Sequence, residues 1–184
     1  TIDTVNLHFV HDKPLNNCVI IGWTGTHSTL KYLEPLIPVL KVLENTYKYE
    51  FRVICNKEPE FKLESLKFIK WNKATEIEDL SKFDIGLMPL EDDIWAKGKC
   101  GFKALQYMAL GIPPVVSPVG VNVDIVEQGV TGFLCKSEEE WYKALELLIK
   151  DTDARNTIGG KARKRVENSY SVNSNKENFI MLFQ

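Results

Sequence analysis

The sequence has no run of apolar residues approaching the roughly 20 needed to span a bilayer. Its apolar stretches, such as Cys18–Trp23 and Pro113–Val116, stop after a few positions. It does not open on a basic, then apolar, then small-residue leader, so the chain is expected in the cytoplasm or on the cytosolic face of something larger. It also lacks a basic surplus. Its 23 Lys and Arg stand against 25 Asp and Glu, a formal net charge of −2, which argues against a nucleic-acid partner, because such binding depends on neutralising phosphates. Cysteine and histidine are sparse. Cys18, Cys55, Cys100 and Cys135 lie too far apart for a zinc site or a redox dithiol, and only His8, His11 and His27 are there to join them, so no metal is expected. Internal repeats, low-complexity tracts and Gly/Ser linkers are missing too, and a length of 184 residues favours one domain.

What is present is the balance of a folded globule, 44% apolar and 26% charged, well above the apolar content of disordered chains. A chain of this size buries about 70% of its unfolded surface. Thr1–Asn17 carries three Asn, two His, a Pro and no clear period, and reads as a lead-in or truncated linker.

Val19–Trp23 is apolar on both faces and suits a strand buried in a parallel sheet. Beyond the turn Thr24–Thr29, Leu30, Leu33, Ile37, Leu40 and Leu43 fall near helical spacing. A helix is expected from about Glu34, with Pro35 in its first turn. Further strands are expected at Phe51–Cys55, Leu66–Trp71, Ile85–Leu90, Pro113–Val116 and Gly132–Cys135, and a polar loop at Glu91–Cys100. Helices are expected at Ala74–Lys82, Phe102–Leu110, Val123–Gln128, Ser137–Lys150, Asp153–Asn168 and Asn173–Leu182. Phe102, Leu105 and Ala109 would share a face, Gly111 is placed to end their helix, and Ser137 with Glu140 forms a capping box. The alternation predicts an α/β fold, a Rossmann-like doubly wound parallel sheet of about six strands with helices on both faces. Such folds bind ligands beyond the carboxyl ends of their strands.

Two loops fall at such ends. In Gly25-Thr26-His27-Ser28-Thr29, backbone amides and hydroxyls leading into a helical turn can accept an anion. The same residues also make an ordinary turn capped by Ser28 or Thr29, and the loop has neither the dinucleotide fingerprint nor a P-loop lysine. In Asp92–Lys103, Lys97, Lys99 and Lys103 cluster with Gly98 and Gly101 at a helix N-terminus. Each lysine there costs about 0.3–1 kcal/mol unless an anion offsets it or the side chain faces solvent.

Phe102-Lys103-Ala104-Leu105-Gln106-Tyr107-Met108-Ala109-Leu110-Gly111-Ile112-Pro113-Pro114-Val115-Val116, then Ser117-Pro118-Val119-Gly120, then Ile125-Val126-Glu127-Gln128-Gly129-Val130-Thr131-Gly132-Phe133-Leu134 resemble the donor-binding half of glycosyltransferase family 4, group 1. The resemblance implies one half of a retaining, two-domain GT-B enzyme, with residues 1–17 the remnant of an interdomain linker and 18–184 the donor domain. It implies a nucleoside diphosphate sugar as donor, no cofactor and no metal. It also implies a glycan or lipid-linked acceptor, held by the other half, which would carry any membrane association.

The family has two glutamates separated by seven residues, and here Gly98 and Gln106 occupy those positions. Gln106 keeps a carbonyl acceptor for the ribose hydroxyls and adds an amide donor. Gly98 has no side chain to reach the donor sugar, which leaves Lys97, Lys99 or Asp93 as substitutes. Thr26 stands where the family has an arginine, and Lys31 is the nearest basic residue to its lysine. The diphosphate is then expected at the Gly25 turn, on the hydroxyls of Thr26, Ser28 or Thr29 helped by Lys99 and Lys103, and on the amides of Gly101, Phe102 and Lys103. Trp71 and Asn72 fall where the family holds the base, although Trp71 also reads as a core aromatic. Two other readings compete: a non-catalytic nucleotide- or partner-binding module derived from such a transferase, supported by the two lost glutamates, and a sugar-nucleotide epimerase, for which His27 alone speaks.

Overall fold

The computed structural model describes residues 1–10 and 18–183. Its apolar runs form β1 (Val19–Thr24), β2 (Tyr49–Cys55), β3 (Leu66–Lys70), β4 (Ile85–Met88), β5 (Pro114–Val116) and β6 (Phe133–Leu134). All pair in parallel in the order β3-β2-β1-β4-β5-β6. The direction of winding reverses between β1 and β4, and a crevice opens there beyond the strand ends. This is the six-stranded Rossmann-like sheet that the alternation predicts.

Around it run a 3-10 helix (His27–Leu36), α1 (Ile37–Glu44), α2 (Glu76–Ser81), α3 (Ile94–Lys97), α4 (Phe102–Ala109), α5 (Asn122–Ile125), α6 (Glu138–Lys150), α7 (Thr152–Ser169) and α8 (Val172–Met181). Successive strand residues point to opposite faces, so each strand supplies both layers. Ile21 and Trp23 pack with Leu33, Leu40, Leu145 and Leu148, whereas Ile20 packs with Leu80, Phe83 and Tyr107. Val115 joins the first layer, and Val116 lies opposite with Ala104, Met108, Ala162 and Val166. The 3-10 helix, α1 and α6 thus cover one face, and α2, α4 and α7 the other. Each fully buried aliphatic side chain contributes about 1.5–3 kcal/mol.

The helix after β1 departs from expectation for a physical reason. It begins at Ile37 rather than near Glu34, and His27–Leu36 wind more tightly, with Pro35 inside the 3-10 turn. A start at Glu34 would put Pro38 where its missing N–H breaks an i→i−4 bond. A start at Ile37 places Pro38 in the first turn, where no bond is due. The loop after β4 is also not wholly irregular, because the Asp93 carboxylate accepts from the Ala96 N–H at 2.6 Å and caps α3. Phe102 does not share the buried face of Leu105 and Ala109: it is 48% exposed at the start of α4. The capping box of α6 is present, with Ser137 and Glu140 exchanging bonds of 3.0 and 3.2 Å.

The N-terminal residues are bound to the body. The Ile2 N–H donates to the Tyr170 carbonyl and the Ile2 carbonyl accepts from Val172 N–H, both at 2.9 Å. The Arg163 guanidinium donates to the carbonyls of Thr4, His8 and Ala109. Residues 11–17 of the expected linker, His11 among them, lie outside the described residues.

Adjacent glycines of α7 give a test of this packing. A Cβ on Gly159 would stand 2.1 Å from the Gly111 carbonyl oxygen, whereas one on Gly160 meets nothing within 4 Å. Gly159→Ala is expected to lose about 1–3 kcal/mol and Gly160→Ala to gain up to about 1 kcal/mol from helix propensity, measured as opposite shifts of the urea midpoint.

Candidate functional site

The crevice is set by one buried phenol. Tyr107 Oη accepts from the Thr24 N–H at 3.2 Å and donates to the Leu87 carbonyl at 3.3 Å, fastening the ends of β1 and β4 to α4. Burial pushes its hydroxyl pKa upward, so it remains a neutral donor. Beyond β1 the chain turns at Gly25, whose N–H donates to the Ile54 carbonyl at 3.1 Å. The helical turn that follows is capped at Thr26 rather than at Ser28 or Thr29. Thr29 Oγ1 accepts from the Thr26 N–H at 3.1 Å and donates to the Thr26 carbonyl at 2.9 Å, while the Thr26 and Ser28 hydroxyls bond each other at 3.0 Å.

The opposite lip is the start of α4. Gly101 holds φ +66, and a Cβ there would meet Ile125 Cδ1 at 2.3 Å, so both backbone and space require glycine. As first residues of the helix, Phe102 and Lys103 have amides with no intrahelical carbonyl to meet. Lys103 Nζ lies 5.2 Å from the centre of the Trp23 ring, and Lys99 Nζ lies 4.1 Å from that of Tyr32. Lys99 Nζ is buried with no hydrogen-bond partner, and among the described residues no carboxylate stands within ion-pair distance of either lysine. A ring face attracts an ammonium by about 0.5–2 kcal/mol, too little to replace a counter-ion. Burial, and after it the charge of Lys99, push the Lys103 ammonium pKa down to about 8, with Cys55 opposing.

Between the lips lies a cleft of about 400 Å³. Thr24, Gly25 and Thr26 line it from the β1 turn, Phe102, Lys103 and Gln106 from α4, and Asn56, Trp71 and Glu76 from beyond β2, beyond β3 and from α2. Gln106 is 4% exposed, and its side chain makes no hydrogen bond within the protein among the described residues. Trp71, far from being a core aromatic, is 40% exposed.

The expected site residues divide accordingly. Gly25, Thr26, Trp71, Phe102, Lys103 and Gln106 meet around the cleft, Gly101 caps the helix beneath it, and Lys99 stands on Tyr32. Ser28 lines a neighbouring depression with His27 and Lys31. The Asn72 side chain accepts from its own turn at Ala74 N–H, 2.9 Å away. Gly98 caps the C-terminus of α3, the Asp93 carboxylate is engaged as that helix's N-cap, and Lys97 pairs with Asp92 at 2.9 Å. Sequence reasoning missed Tyr107, Asn56 and Glu76. Tyr107 follows Gln106 directly, but Asn56 and Glu76 reach the cleft through strand order alone and carry no local signal. Among the described residues no group of three or more His, Cys, Asp or Glu is arranged to hold a metal, and no helix is long and apolar enough to cross a membrane.

The desolvated lysine has a pH signature. In the unfolded chain Lys103 keeps its proton up to about pH 10.5, but in the folded chain only up to about pH 8. The folded state therefore binds fewer protons across that window, and this group's penalty on stability lifts as pH rises through it. Lys103→Met is expected to raise stability at pH 7 by as much as about 3 kcal/mol, with the gain gone by pH 11, as followed by calorimetric melting. A gain independent of pH would assign it to packing instead.

Comparison with known proteins identifies the family and the fold. A family model described as glycosyl transferases group 1 matches residues 10–165. The capsular polysaccharide biosynthesis glycosyltransferase CapM of Staphylococcus aureus is 25% identical over 185 residues, covering 92% of this chain and 47% of the relative. The chain thus spans about half the length of that curated relative. The C-terminal domain of LpcC, a glycosyl transferase group 1 family protein from Francisella tularensis, superposes with a TM-score of 0.75 at 17% identity, over 94% of this chain and 100% of that one. Alr3699/HepE of Anabaena, solved with UDP and glucose, superposes at 0.72 with 18% identity, over 91% of this chain and 49% of that one. These structural likenesses speak to the Rossmann-like GT-B fold, while the family model covers most of the sequence: the chain belongs to the glycosyl transferases group 1 family.

Proposed function

We propose that the chain is the donor-binding half of a retaining family 4 glycosyltransferase, which holds the nucleoside diphosphate of its sugar donor in the cleft between the β1 turn and α4. The observation that carries this reading is the pair of lysines, Lys99 and Lys103, brought to the start of a helix with no carboxylate to neutralise them. A diphosphate supplies the missing charge. It also meets the free amides of the first turn of α4, which form an anion site without a metal ion. HepE, solved with UDP-glucose as well as with UDP and glucose, offers a parallel on the same fold.

In transfer, the bond between the anomeric carbon and the diphosphate oxygen breaks, and its electron pair leaves with the diphosphate. Lys99, Lys103 and the amides of Phe102 and Lys103 stabilise that growing negative charge in place, with no reorganisation at the moment of reaction. The acceptor hydroxyl forms the new bond with the configuration kept and gives up its proton to the departing diphosphate oxygen. In this reading Gln106 meets the ribose, and the chain near Trp71 and Asn72 meets the base. The acceptor, a glycan or lipid-linked, sits on the other half, which the segment 1–17 joins. The enzyme works in the cytoplasm and needs no cofactor.

Gly98 favours a second reading. Exposed and without a side chain where the family has a glutamate, it suits a module that binds nucleotide and transfers nothing.

Isothermal titration with UDP, GDP and ADP, with and without EDTA, tests the donor reading. One nucleotide is expected to bind regardless of EDTA. Lys99→Ala and Lys103→Ala are each expected to weaken it about tenfold or more, with the loss shrinking as salt rises. Absence of binding, or unchanged affinity in both variants, rejects the reading.

A further inference from the structure

We propose that Glu76 reads the ribose hydroxyls of the bound nucleotide together with Gln106, supplying from α2 the carboxylate that α4 lacks. The inference rests on the nucleoside diphosphate reading above and adds to it a residue from the opposite wall of the cleft.

Glu76 lines the same cleft as Lys103, Gln106 and Trp71. It is nevertheless no partner of Lys103. Among the described residues no ion pair joins them. The cleft therefore carries an ammonium on α4 and a carboxylate on α2 that form no ion pair with each other among the described residues. A ligand that fits it is anionic at one end and a hydrogen-bond donor at the other. An ionised carboxylate only accepts. It repels phosphate and welcomes hydroxyl groups.

Gln106 fixes where those hydroxyls sit. Its side chain is nine-tenths buried, lines the cleft and has no partner within the protein among the described residues. It follows Lys103 by three residues, about 4.5 Å along the helix axis, a step comparable with that from a phosphate to its ribose. A vicinal diol donates to Glu76 and exchanges a bond with the Gln106 amide. The base then lies against Trp71, whose exposed ring offers a stacking face that needs no particular base.

The simpler role for Glu76, an acid in the first turn of α2, is shared by Glu78 and Asp79. Those two pair with Lys82 at 2.9 and 3.2 Å, whereas among the described residues no hydrogen bond or ion pair engages the Glu76 carboxylate. Burial lowers the His8 pKa against the opposing pull of Glu76, so His8 is neutral at pH 7.5.

The test is titration at pH 7.5 with whichever of UDP, GDP and ADP binds, and then with its 2′,3′-dideoxy counterpart. The parent chain is expected to prefer the ribonucleotide about tenfold or more, as for loss of a bond to a charged group. Glu76→Gln should bring the preference below about threefold by losing ribonucleotide affinity alone. Glu78→Gln should keep it, and thermal melts of both variants should match the parent. Undiminished preference in Glu76→Gln leaves Gln106 as the reader and overturns the proposal. Equal binding of both nucleotides by the parent chain overturns it for both residues. A parent chain that binds none of the three nucleotides removes the donor reading itself, and this inference with it.

Discussion

Two ammonium groups, of Lys99 and Lys103, stand against aromatic rings where the first turn of α4 meets the end of β1, with no carboxylate near enough to pair with either among the described residues. Cations at a helix N-terminus oppose the helix dipole, and desolvation adds to that penalty. The protein maintains this arrangement through parts that are otherwise unremarked. Tyr107 ties α4 to β1 and β4, Gly101 lets the backbone turn beneath Ile125 and Val121, and Asp93 caps the short α3 that delivers Lys99. A site strained in this way is most simply understood as one that a ligand completes.

The uncharged residues Gly98 and Gln106 fit the same terms. They add no charge beside Lys99 and Lys103 in the chain, and the acidic group that lines the cleft, Glu76, comes from a different helix and forms no ion pair with Lys103 among the described residues. The two signs of charge are therefore separated by element: cations on α4 and the turn before it, the anion on α2.

Much of the fold was legible in the sequence because it depends on local pattern. Short apolar runs gave the six strands, and Ser137 with Glu140 marked the start of α6. The start of α1 was misplaced because two prolines, Pro35 and Pro38, compete for the first turn, and only the hydrogen-bond requirement decides between them. For the site, Lys99 and Lys103 are visible as cations at a helix start, and Gln106 only through the resemblance to the family. That the two lysines stand on Tyr32 and Trp23 is a matter of strand order and not of neighbouring sequence. So is the presence of Asn56 and Glu76 in the cleft. Asp93 and Ser28 show the converse: polar residues at the right position in the chain whose side chains serve local turns.

The central claim is that a diphosphate completes this cation pair, and proton linkage measures it directly. At pH 8.5 the phosphates of UDP are fully ionised, while a Lys103 of pKa about 8 is mostly neutral. Binding should restore its proton. Titration of UDP, or of whichever nucleoside diphosphate binds, in buffers of different ionisation heat is expected to show uptake of roughly 0.7 proton per ligand, and none in Lys103→Met. Binding of the same affinity class with no proton uptake would contradict the account, because the diphosphate would then lie away from Lys103.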